Sequence, residues 1–123
     1  MKLFQKILFF LFGASTFFIA HGQIKNDDKL KETIYKKHKQ EVLNYSLKDF
    51  DALFLDFLGK QNNTKITLSK EEFYTYTMKI AIFSERQAKL FKTKKNEATA
   101  NSEEYKSRNY QDYLSQKKAT INK

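Results

Sequence analysis

Apolar positions follow two regimes along this chain. Ile7 to Ile19 (ILFFLFGASTFFI) runs without a single charge, preceded by Lys2 and Lys6 and followed by the small-x-small triplet Ala20-His21-Gly22. Beyond Gln23, apolar residues are interleaved with charged ones at helical spacing. Leu30, Ile34, His38, Val42 and Tyr45 form one stripe, predicting a first helix that starts near Asn26-Asp27-Asp28, where carboxylates suit the positive end of a helix. Ser46-Leu47-Lys48-Asp49 fits the [ST]-x-x-[DE] cap, with Tyr45 and Phe50 at the two staple positions around it.

A second helix is predicted over about residues 47–58. Leu47, Phe50, Leu53, Phe54, Leu55, Phe57 and Leu58 cover most of its circumference, so it is expected to be the most buried element. Gly59 stands where a left-handed C′ residue would end it. Gln61–Thr64 reads as a loop. Ser69 with Glu72, and Leu68 with Phe73, give a second capping box and staple.

Helix three is then predicted from Lys70 to about Lys94, with Phe73, Tyr76, Ile80, Phe83, Gln87 and Leu90 on one seam and Tyr74, Met78 and Ile82 flanking it. The polar, Ala-containing stretch Asn96–Asn101 fits either a loop or a continuation of this helix. Asn101 or Ser102 can cap a last helix through Tyr105, Tyr110, Tyr113 and Leu114. No internal repeat of useful length is visible.

Glycine and proline usage supports the same class. The chain has no proline, and Gly59 is the one glycine after residue 22, so the glycine-containing hairpin turns of a sheet protein are missing. The expected fold is all-α, a small bundle of three to four helices whose core is built by helices two and three.

The first regime has the grammar of a secretory signal: a basic start, an apolar run and a small-residue cleavage site. Residues 1–22 are read as that signal, 23–118 as a single helical domain and 119–123 as a frayed tail. The rival is a retained membrane anchor, but a spanning helix needs roughly 20 apolar residues, and Gln5 and Lys6 interrupt any extension backwards. Export to the periplasm or the extracellular space is expected. Removing Lys2 and Lys6 leaves 21 of the 23 basic residues against 14 acidic ones, a net charge of +7. The chain has no cysteine, so neither a disulfide framework nor a lipid-modified N-terminal cysteine is available.

Charge and residue types narrow the chemistry. The exported chain would hold one histidine, His38, in a basic stretch, whereas metal sites and hydrolytic triads require partners for it. Asp49 has a capping task, and a single glycine rules out phosphate-cradling glycine loops. No catalytic residue, metal site or cofactor is expected.

The basic cluster Arg86, Lys89, Lys92, Lys94 and Lys95 reads either as complementing the dipole at the end of helix three or as a surface for anions. Tyr105 and Arg108 extend that surface, and Tyr105 fits the face shared by Tyr110, Tyr113 and Leu114 least well, so it is expected to be exposed. A non-enzymatic binding protein follows as the leading expectation, acting on an unknown protein or an anionic envelope component through its basic, Tyr-bearing C-terminal half. Intracellular nucleic acid is not expected as a partner. Association with a membrane is the alternative, and apolar flanks on helix three would permit a homodimer.

Overall fold

The computed structural model describes residues 21–121. The expected signal sequence up to Ala20 and the last two residues lie outside them. All regular structure among the described residues is helical. Among the described residues there are five α-helices rather than three or four: α1 (His21–Leu43), α2 (Leu47–Asn62), α3 (Lys70–Leu90), α4 (Lys95–Ser107) and α5 (Tyr110–Ile121), with a 3-10 turn at Lys92–Lys94.

The two expected capping boxes are formed. Ser46 Oγ accepts the Asp49 N–H at 3.1 Å while Asp49 Oδ2 accepts the Ser46 N–H at 2.9 Å. Ser69 and Glu72 repeat the arrangement at 3.1 and 3.0 Å. Each box satisfies amides that the first turn of a helix cannot pair internally. The staples close as well: Tyr45 and Phe50 pack on the cluster of Val42, Ile82 and Phe83, and Leu68 and Phe73 belong to the main core.

The extra helices come from two breaks. Phe91 adopts an extended conformation (φ −121°, ψ 98°) and stops α3 at Leu90, short of the expected Lys94. One 3-10 turn later α4 begins, so Asn96–Asn101 is helical but belongs to a new helix running in another direction. The second break is at Arg108, also extended. Asn109 restarts the chain as an N-cap, its side-chain oxygen accepting the Gln111 N–H at 2.7 Å and its carbonyl the Tyr113 N–H at 3.1 Å. α5 covers residues 119–121, which the pattern assigned to a frayed tail.

α3 is the central element. Phe73, Tyr74, Thr77, Met78, Ile80, Ala81, Ile82, Phe83 and Ser84 are all buried, which leaves little of its circumference open between Thr77 and Ser84. α1 lies parallel to it, as Asp27 meets Lys70 and Tyr74 while Glu41 meets Lys79. α2 is antiparallel to α3: Phe50 stacks on Phe83 with ring centroids 4.1 Å apart, and Phe57 reaches Phe73 and Tyr76. α4 returns antiparallel on another side, where Asn101 donates to Ser84 Oγ at 2.8 Å.

α5 closes the end of the bundle opposite the α3–α4 corner. There Leu68 N–H donates to Tyr113 Oη at 2.8 Å, and Tyr110 Oη donates to the Leu68 carbonyl at 2.7 Å. Lys117 completes the closure by donating to the carbonyls of Lys60, Gln61 and Asn63, which caps the end of α2 with an ammonium group.

Three expectations are corrected. α2 is not the most buried element: Phe57 is its one buried residue, and Leu47 and Leu55 are 64% and 66% exposed. α3, flanked by α1, α2 and α4, holds the central place. Gly59 does not end α2, which continues to Asn62 with no positive φ. α1 does not begin at Asn26 but is helical from His21, and Asp27 is buried rather than serving an N-terminus.

Candidate binding surface

Geometry divides the seven expected binding residues between the two ends of the bundle. Lys89, Lys92, Lys94 and Lys95 are exposed and lie within seven residues around the α3–α4 corner. None of the four has an ion pair or a side-chain hydrogen bond among the described residues. By contrast Lys36, Lys60, Lys70, Lys79 and Lys106 are each paired with a carboxylate.

Arg86, one turn before Lys89, is half-buried. Its guanidinium donates to the Tyr45 carbonyl and lies 5.7 Å from the Phe83 ring centroid. It ties the α1–α2 turn to the end of α3 and is a structural neighbour of the lysines rather than one of the free cations.

Tyr105 and Arg108 are elsewhere. α4 runs away from the corner for 13 residues, a helical rise of roughly 20 Å. Tyr105 is 5% exposed, not the outward ring expected. Its ring meets Phe54 edge-on, and the Arg108 guanidinium covers it at 4.0 Å from the centroid. Burial pushes the Tyr105 phenol up from its ordinary pKa. Arg108 is half-buried and pairs with Glu104 at 3.3 Å. Both side chains close the α4–α5 end and leave the candidate surface.

Four apolar residues at the corner were not anticipated. Leu90 and Phe91 are 59% and 49% exposed and sit between Lys89 and Lys92. Leu43 and Leu47 are exposed beside Asn44–Ser46, the turn that Arg86 holds against α3. The local signal was available as Lys-Leu-Phe-Lys, an apolar pair between two cations. Extending the core seam to Leu90 hid it.

The polar clusters elsewhere are engaged internally. Glu41 accepts His38 Nδ1, Tyr45 Oη and Lys79 Nζ at 3.0, 2.6 and 3.0 Å. Those contacts, led by the Tyr45 hydroxyl, hold the Glu41 carboxyl down to about 2. Asp27, 4% exposed, accepts from Lys70 at 2.9 Å and from Tyr74 at 2.5 Å. Tyr74 Oη accepts the Tyr110 N–H in turn, which links α1, α3 and α5. Burial, followed by the bond to Asp27, raises the Tyr74 phenol strongly.

An open groove of 390 Å³ between α2 and the start of α3 is bordered by Asp56, Glu72, Tyr76 and Lys79. Tyr76 Oη donates to Asp56 there and accepts from Lys60 at 2.7 Å, so Tyr76 and Asp56 are satisfied within the α2–α3 contact. Among the described residues no buried side-chain nitrogen or oxygen lacks a partner, and no three His, Asp or Glu side chains converge as a metal site would require. No described helix is long and apolar enough to cross a membrane.

No protein-family model matches the chain, and comparison with curated proteins and with solved structures finds no match either. The functional reading therefore rests on the surface itself.

Proposed function

We propose that this is an exported, non-enzymatic binding protein that engages an anionic partner of the cell envelope through its α3–α4 corner. The observation that carries the reading is the set of four exposed lysines at Lys89, Lys92, Lys94 and Lys95, which have no ion pair or side-chain hydrogen bond among the described residues. Two of them complete a 3-10 turn, and a helix dipole does not need four cations around a corner that has already left α3. Such a cluster, on a chain of net charge +9, or +7 once the expected signal is removed, attracts polyanions over about a Debye length, and that attraction weakens as salt rises. Export is supported by the signal-like first 22 residues.

Charge reversal tests the reading. Lys89, Lys92 and Lys95 are changed to Glu in one variant, and the exposed Lys29, Lys65 and Lys118 in another with the same net charge. Binding to immobilised dextran sulfate is measured against salt for both. Loss of about tenfold or more in the corner variant, with a flatter salt dependence and a much smaller effect of the distal variant, is expected. Equal losses in the two would mean that net charge alone drives binding, and the corner would lose its assignment.

A further inference from the structure

Four lysines are enough to hold a polyanion, yet the corner also exposes apolar side chains that such a polymer has no use for. Leu90 and Phe91 project at 59% and 49% exposure in the middle of the lysine cluster. The extended backbone at Phe91 places this pair on the bend itself, where among the described residues no helix buries it. Leu43 and Leu47 stand exposed at the same end of the bundle, across the Arg86–Tyr45 contact, with the exposed Lys48 beside them. One end of the molecule therefore exposes apolar side chains next to lysines that have no partner among the described residues. The other end is sealed by Tyr110, Tyr113 and Lys117.

Each partner chemistry uses such an apolar tip differently. A hydrated sulfate or phosphate polymer pairs with the lysines and leaves Leu90 and Phe91 in water. An anionic bilayer supplies headgroups for the ammonium groups and, a few ångströms deeper, an acyl boundary that takes up leucine and phenylalanine side chains. Apolar burial and attraction to anionic lipid then reinforce each other, and neither alone holds a protein firmly.

We infer that the α3–α4 corner docks this protein on the surface of a bilayer containing anionic lipid, with Leu90 and Phe91 inserted at the headgroup–acyl boundary and Lys89, Lys92, Lys94 and Lys95 on the headgroups. The inference rests on the binding role assigned to the same lysines and adds the class of partner. The bundle stays folded on the surface, because its core residues on α3 face inward.

The chain contains no tryptophan, so Phe91→Trp gives a single reporter at the tip. The full protein carrying Phe91→Trp is titrated with vesicles of phosphatidylcholine, with vesicles of phosphatidylcholine and phosphatidylglycerol, and with soluble dextran sulfate. A blue shift of tryptophan emission, and quenching by lipids brominated in the acyl chain, are expected with the anionic vesicles alone. Replacing Leu90 and Phe91 together by Ser should weaken co-flotation with those vesicles about tenfold or more while leaving binding to dextran sulfate unchanged.

Binding to dextran sulfate with no blue shift on anionic vesicles overturns the bilayer inference and leaves the basic surface standing. Loss of both overturns both. Co-flotation without a blue shift means that another segment, such as the apolar stretch before Gln23, makes the contact, and the tip assignment falls. An equal shift on phosphatidylcholine vesicles removes the role of the lysines.

Discussion

Glu41 gathers His38, Tyr45 and Lys79 around one carboxylate, and the partnership has a pH signature. Its pKa lies at about 2 against an ordinary 4.5, so the folded state holds its proton less tightly than the unfolded chain. The stabilisation is fully present above the ordinary value and is lost as pH falls from there through about 2. Urea midpoints measured across that window should fall less for Glu41→Gln than for the unaltered protein. Parallel decline in the two would show that Glu41 contributes nothing specific. At this scale the sequence was legible wherever the signal was local. Ser46 and Ser69 could be assigned because a capping box involves residues three apart. Tyr105 was misread because one continuous last helix was assumed. The break at Arg108–Asn109 changes the direction of the chain, and the ring turns into the core beneath Arg108.

Helices show the same division between local and distant causes. The periodicity of α1 located its inner face, since it has one dominant stripe, and the seam with its flanks located the buried positions of α3 from Phe73 to Phe83. It could not rank α2, whose apolar residues run nearly all the way round. A bundle this small has too few neighbours to cover such a helix, so α2 packs mainly on α3 and leaves Leu47 and Leu55 in solvent. The apolar flanks of helix three, read as room for a homodimer, are filled within one chain: Tyr74, Met78 and Ile82 are buried.

Gly59 was misplaced because a glycine near the end of an apolar run resembles a stop signal. Here it sits inside α2, and a Cβ at that position would meet nothing within 4 Å. Gly59→Ala should stabilise the protein by about 0.5–1 kcal/mol, a rise of roughly 2–8 °C in Tm. A lowered Tm would instead mean that Gly59 takes the left-handed conformation and that α2 stops there.

On the scale of the whole molecule, the proposed function depends on an asymmetry between two ends. The α4–α5 end is sealed by aromatic hydroxyls and an ammonium that caps α2. The α3–α4 corner leaves four lysines and an apolar tip open. The sequence showed the lysines as a cluster, but it could not show that Tyr105 and Arg108 lie at the far end, because that separation is set by how α4 folds back along α3. Which anionic surfaces the corner would meet under the proposed function depends on the compartment the chain reaches, so export is the central claim. Intact mass of the native protein from separated cell fractions tests it most directly. A mass beginning at Gln23, in the periplasm or the medium, is expected. Full-length mass in the cytosol or the membrane fraction would contradict export by a cleaved signal and would make residues 1–22 part of the working protein.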